Sequence, residues 1–142
     1  MQLMFRFMIA SLAAWAVMAA MAMALFGYLL ADYFEPLRTL FRPAEEQAET
    51  SLWAQLAQFI RTFFFTGVIL FLRGARPLPV VTGAAYGFLA GLFVSTYHAV
   101  NSASLPLPFE TAAAWAAFDT ILLTTGGAVF AFLFRPPRIK SV

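Results

Sequence analysis

Two charged residues of this sequence, Arg61 and Asp119, lie inside apolar runs, where charged residues are rare. Arg61 is followed by eleven uncharged residues, and Asp119 is the last acidic residue of the chain. A charge at the middle of a membrane helix costs about 2.5 to 3.5 kcal/mol on insertion scales, and such residues usually pair with each other or serve a function. An ion pair between Arg61 and Asp119 is the simplest way to bury both charges.

Further polar residues stand near the same level of the predicted helices, and they suggest a polar pocket in the outer half of the protein. The candidate pocket residues are Gln55, Gln58, Tyr97, His98 and Asn101. Such a pocket would bind or transport a small molecule, a lipid or a quinone. The alternative is structural, with the ion pair joining two helices while His98 and Asn101 hydrogen-bond to headgroups and water.

Motifs of known catalytic chemistry are missing from the sequence. A zinc site needs three or four ligands, and His98, Glu110 and Asp119 do not have a recognised ligand spacing. The single histidine excludes a haem held by two histidines of one chain, and the absence of cysteine excludes disulfides and thiolate metal sites. Nucleophile elbows, phosphate loops and basic nucleic-acid patches are also missing. We therefore expect no enzyme activity, no cofactor, no metal and no nucleic acid.

The elements that position these residues are four long apolar segments. Hydrophobic residues make up 62% of the chain and charged residues 11%, against about 25% charge in soluble domains. A helix needs about 20 apolar residues to cross a hydrocarbon core of about 30 Å. The sequence therefore predicts an all-α membrane protein, a four-transmembrane-helix bundle forming one integral membrane domain over residues 1–142. The predicted spans are 7–31, 52–72, 79–100 and 109–134.

The first span has a competing interpretation, and the second has an uncertain start in the sequence. A cleaved signal peptide is the competing interpretation of the first, because Arg6 precedes an apolar core and Ala-Met-Ala stands at 22–24. The apolar run continues beyond that point, so we expect a retained helix. The eleven uncharged residues between Arg61 and Arg73 cover only about 16 Å of helix. The second helix must therefore begin near Leu52 or Trp53, which places Gln55, Gln58 and Arg61 inside the membrane or at its outer edge.

Basic residues are distributed unequally between the two sides of the predicted bundle. One side carries six basic and no acidic residues, namely Arg6, Arg73, Arg76, Arg135, Arg138 and Lys140. Positive residues in short loops mark the cytoplasmic side, so both termini are expected there, in a bacterial inner membrane. In the first external loop, aromatic residues and leucines recur at helical spacing over 33–42, with polar and charged residues between them. This pattern predicts a short interfacial helix, with an irregular loop as the alternative.

Small residues predict how the helices pack. Lipid tails are as apolar as leucine, so membrane helices associate through close packing of small residues. Gly83, Gly87 and Gly91 recur every four residues on the third span, and Gly126 and Gly127 stand on the fourth. Because a short loop joins these spans, we expect them to pack as antiparallel neighbours. A homodimer seam is the alternative use of the glycines.

Two classes of function agree with these features. The first is a non-catalytic accessory or structural subunit that packs against other membrane protein subunits, as the short loops and broad apolar faces indicate. The second is a protein that binds or transports a small molecule, lipid or quinone through the polar pocket, as a single chain or a homodimer. Membrane lipids are partners in either case.

The charge distribution yields a topological prediction. Reporter fusions after Arg76 and after Val142 should report a cytoplasmic position, and a fusion near Glu46 should report an external one, because six basic residues mark the inner side. An external reading for the C-terminal fusion would contradict a chain with four spans.

Overall fold

A computed structural model describes residues 1–30, 32, 44–74, 76–104 and 108–134, with the backbone alone at 29, 44, 45 and 47–49. In this part of the chain the secondary structure is helical without strands, and four helices are long and apolar enough to cross a membrane. This confirms the prediction of four apolar helices. The predicted interfacial helix over 33–42 and the basic residues beyond Phe134 lie outside the described residues.

Three of the helices extend further than the sequence predicted. The four are α1 (Gln2–Ala24, continued by a π-helical turn at Leu25–Leu29), α2 (Ala44–Arg73), α3 (Val80–Ser104) and α4 (Phe109–Leu133). The first turns of α2 include Glu46, and carboxylates suit the partly positive N-terminal end of a helix. In the last turn of α3, Ser102 and Ser104 donate hydrogen bonds to the Ala99 and Val100 carbonyls. These hydroxyl groups are satisfied inside the helix, and α3 continues to Ser104, past the predicted end at residue 100.

The helix α4 is the centre of the packing. It contacts α3 along most of its length and α1 to a lesser extent, whereas α2 contacts mainly α1 and has few contacts with α3 and α4. Phe7 of α1 packs against Phe130 of α4, and Phe26 packs against Phe118. Residue numbers therefore increase along α1 in the direction in which they decrease along α4, so the two helices are antiparallel.

Glycine allows the backbones of α3 and α4 to approach closely. A Cβ atom added to Gly87 would overlap the Leu123 carbonyl group, and one added to Gly83 would overlap the Gly127 carbonyl oxygen. At Gly91 an added Cβ would lie 2.5 Å from the Thr120 Cα. The structure thus places the glycines of α3 against α4 within one chain, in a single antiparallel register.

Larger side chains fill the contacts of α1. Met18 is fully buried, and its sulfur occupies the notch that Gly126 leaves on α4. About two turns earlier on α1, Ser11 and Thr66 of α2 share a buried hydrogen bond of 2.8 Å. Since membrane helices associate by packing and by such bonds, α1 connects α2 to the closely packed α3–α4 pair.

The glycine contacts predict a difference between two alanine substitutions. Gly87→Ala should destabilise the protein by about 1 to 3 kcal/mol, because the added methyl group forces α3 and α4 apart. Gly67→Ala on α2 is the matched control, since a Cβ there would meet nothing within 4 Å. Unfolding in mild detergent would measure both, and equal stability of the two variants would contradict the close contact of α3 with α4.

Candidate functional site

Two charged residues lie near the middle of α2 and α4. Arg61 is eleven residues after Thr50 and twelve before Arg73, the limits of the apolar part of α2. Asp119 is ten residues after Phe109 and fourteen before Leu133. At 1.5 Å per residue, both lie about 15 Å or more from either end of their apolar helices. Each charge therefore needs a partner within the protein.

The Asp119 carboxylate has two such partners. Its Oδ1 lies 2.9 Å from Nη1 of Arg61, and its Oδ2 lies 2.8 Å from Nε2 of His98. The side chains of Asp119 and His98 are 12% and 16% exposed, while that of Arg61 is 33% exposed. We call Arg61, His98 and Asp119 the Asp119 triad. It joins α2, α3 and α4, and it does so where α2 has few other contacts with the other two helices.

The charges within the triad compensate each other. Arginine is always protonated and binds a carboxylate through charge-assisted hydrogen bonds. Because Oδ2 of an ionised Asp119 can only accept, the Nε2 atom of His98 must carry a hydrogen and donate it. The other ring nitrogen, Nδ1, is then an acceptor when the imidazole is neutral and a donor when it is protonated.

Three buried nitrogen atoms on the triad and on Gln58 have no hydrogen-bond partner among the described residues. They are Nε2 of Gln58, Nε of Arg61 and Nδ1 of His98. Gln58 is half-buried and lies one helical turn before Arg61 on α2. A buried polar atom without a partner costs about 1 to 3 kcal/mol, and buried polar atoms in native proteins nearly always have one. The three atoms are enclosed by other protein atoms, so their missing partners are a cost to stability.

The structure brings only some of the predicted pocket residues to Asp119. His98 bonds to it, Gln58 is half-buried one turn before Arg61, and Asn101 is half-buried one turn further along α3. Gln55 and Tyr97 are exposed, Tyr97 by 64%. Consecutive helical residues point about 100° apart, so Tyr97 and His98 cannot share one face. The polar site is therefore smaller than the sequence predicted.

Sequence reasoning missed the contact between His98 and Asp119. With α3 expected to end near residue 100, His98 stood at a helix end, whereas in the structure six residues follow it within α3. The register that the α3 glycines set against α4 could have predicted this contact. It sets Ser95 opposite α4, where Ser95 Oγ lies 2.9 Å from the Ala116 carbonyl oxygen and 3.1 Å from Thr120 Oγ1. His98, three residues on, is then within side-chain reach of Asp119.

A carboxylate that bonds both an arginine and a histidine at mid-helix can bind the polar group of a ligand beside the exposed part of Arg61. The His98 ring also lies beside an aromatic surface, 5.9 Å from the ring of Trp115. Among the described residues, no three metal-ligating His, Asp or Glu side chains gather. Comparisons of the chain with protein-family models, with curated proteins and with solved structures found no match.

The triad predicts unequal effects of removing its two charges. Asp119→Asn should lower the free energy of unfolding by about 3 to 5 kcal/mol, because it leaves the Arg61 charge without a carboxylate. Arg61→Gln should lower it less, since His98 still donates to Asp119. The double variant should recover part of the loss.

Unfolding in detergent would measure these variants, with Asp32→Asn, a change at the only other aspartate, as the control. Strictly additive effects of the two single changes would show that Arg61 and Asp119 do not interact.

Proposed function

We propose that the four helices cross a bacterial inner membrane as a bundle with both termini in the cytoplasm, and that the protein binds a small membrane-soluble molecule at the Asp119 triad without transforming it. The hydropathy of the helices and the basic residues of one side support the placement. The exposure of Arg61 at mid-helix, one-third of its side chain beside the Asp119 carboxylate, supports the binding site and is the observation that carries the proposal.

A purely structural role explains the triad less well. An ion pair that only fastens helices would be most stable with every buried polar atom satisfied, because a partly satisfied network is worse than an apolar contact. Here Gln58, Arg61 and His98 each direct one nitrogen to no protein partner in the described residues.

The packing of α2 supports a lateral route to this site. Its few contacts with α3 and α4 leave Arg61 one-third exposed although it lies at mid-helix. A molecule dissolved in the bilayer could therefore approach the Asp119 triad from the side, between α2 and α3. Its polar group would reach the triad while its apolar part stayed among the lipid tails.

The second candidate is an accessory subunit of a larger membrane complex. The feature that favours it is a stripe of exposed large side chains along α2, formed by Trp53, Leu56, Ile60, Phe64, Val68 and Phe71. These positions recur at intervals of three to four residues, which is the spacing of a helix face that packs on another helix. A transmembrane helix of another subunit could cover this stripe.

One purification distinguishes the two functions. The protein, extracted in mild detergent, should retain a small apolar molecule that native mass spectrometry detects and organic solvent releases. His98→Phe should lose this molecule, because it removes both ring nitrogens while keeping an aromatic ring beside Trp115. Tyr97→Phe, a change at the exposed neighbouring position, is the matched control and should retain it.

The outcomes separate the candidates. Stable co-purification of other membrane chains without a small molecule would favour the accessory subunit. A homogeneous protein with neither a bound molecule nor a partner chain would contradict both proposals.

A further inference from the structure

We infer that the protein binds the headgroup of an anionic phospholipid in a cavity between the beginning of α1 and the end of α4. This site lies apart from the Asp119 triad, and it requires only that the four helices cross a membrane, as proposed above. The inference follows from the lining of the cavity, from its depth and from the charges around it.

The cavity has a volume of about 310 Å³ and is lined by residues of two helices. Gln2, Phe5, Arg6 and Ile9 come from α1, and Leu133, the last residue of α4, completes the lining. Intervals of three and four residues place the α1 side chains on one face of the helix. All five residues are exposed, so the cavity opens at the surface of the protein. Ligand pockets have volumes of about 300 to 1,000 Å³, and a cavity at the lower end of this range fits a headgroup rather than a whole lipid.

The cavity lies at the depth of lipid headgroups. The apolar span that begins with α1 runs from Gln2 to Tyr28, which is 27 residues or about 40 Å of helix. A hydrocarbon core is about 30 Å thick, so a helix of this length reaches about 5 Å into the interface on each side. Arg6 stands about 6 Å from the start of α1, near the boundary between core and headgroups. Its side chain leans toward the start of the helix, and therefore toward the headgroups.

The guanidinium group of Arg6 is the feature that selects an anionic head. A guanidinium binds phosphate oxygens through two parallel N–H bonds, and its five donors allow it to keep a further contact at the same time. Gln2, one turn earlier in the same cavity, carries an amide that can donate to another oxygen of the head. Basic pockets between membrane helices are known sites for anionic lipid heads.

Acidic side chains of the described residues lie away from this cavity. The helix α1 is antiparallel to α2 as well as to α4, since Phe7 packs on Phe63 and Trp15 on Phe59. The beginning of α1 therefore lies at the same end of the protein as the ends of α2 and α4. The described carboxylate side chains lie at mid-helix or toward the opposite end, namely Asp119, Asp32, Glu46 and Glu110. An anionic head at Arg6 would thus meet no like charge from this part of the chain.

An apolar face continues from the cavity toward the middle of the membrane. Phe5, Ile9 and Leu12 are 64%, 50% and 49% exposed, and they follow each other at intervals of four and three residues on α1. An acyl chain whose head is held at Arg6 can lie along these side chains. A free phosphate ion would leave this face uncovered, so we commit to a lipid as the occupant.

Lipid retention tests the inference. The full chain would be reconstituted with equal amounts of phosphatidylglycerol and phosphatidylcholine of the same acyl chains, extracted in mild detergent, and examined by native mass spectrometry. The parent should retain phosphatidylglycerol in preference. Arg6→Gln should reduce this preference about 5-fold, the effect of one arginine near an anionic lipid surface. Arg73→Gln, the matched control, removes the same charge at the same end of the protein but outside the cavity lining, and it should behave as the parent does.

A second pair of variants tests the cavity without a change of charge. Leu133→Trp should fill the cavity and abolish the preference, whereas Phe132→Trp, at an exposed neighbouring position outside the lining, should keep it. Equal retention of the two lipids by the parent, or equal losses in Arg6→Gln and Arg73→Gln, would overturn the inference. Unchanged preference in Leu133→Trp would overturn it as well, and so would displacement of the lipid by inorganic phosphate, which would indicate a site for free anions.

The variant His98→Phe separates this site from the Asp119 triad. It should lose the small apolar molecule proposed above and still prefer phosphatidylglycerol, because His98 lies in the second half of α3, away from the beginning of α1. Failure of the lipid preference in the parent would therefore leave the proposed function standing, and absence of the small molecule would leave the lipid site standing.

Discussion

The Asp119 carboxylate is the constraint on which the rest of the structure depends. It lies near the middle of an apolar helix, where an uncompensated charge is strongly unfavourable. Arg61 and His98 compensate it from two other helices, one on each oxygen. Because α2 has few other contacts with α3 and α4, this carboxylate provides the polar link of α2 to that pair. The residues that link the helices therefore also form the candidate site.

Close helix packing makes this arrangement possible. The α3–α4 contact is set by glycines whose replacement would bring a Cβ into the opposite backbone, as at Gly83 and Gly87. Such a contact tolerates little sliding, since cores and helix interfaces are packed as densely as crystals. The register then fixes His98 beside Asp119 and Ser95 beside Thr120. α2, held mainly through α1, reaches the same carboxylate only because arginine has a long side chain.

Hydropathy predicted the four helices because the membrane demands length and apolar composition, and both are visible in the sequence. Matched depth placed Arg61 and Asp119 at one level, and the structure brings them into contact. The contact of His98 with Asp119 could not be predicted from the depth of the two residues. The sequence predicted that α3 ends near residue 100, whereas it extends to Ser104. Gln55 faces outward because residues 51–57 of α2 are exposed around their whole circumference. The Ser11–Thr66 bond escaped prediction because hydroxyls in helices usually bond to their own backbone, as Thr66 also does.

The distance between the Asp119 carboxyl carbon and the Nε2 atom of His98 tests the central claim most directly. Solid-state NMR of the full chain in lipid can measure it from the carbon–nitrogen dipolar coupling. The labels are nearly unique, because His98 is the only histidine and Asp32, replaceable by Asn, the only other aspartate. We expect a measurable coupling that corresponds to a direct hydrogen bond between the two groups. A carbon and nitrogen more than about 6 Å apart, beyond the range of strong pairwise interaction, would contradict it.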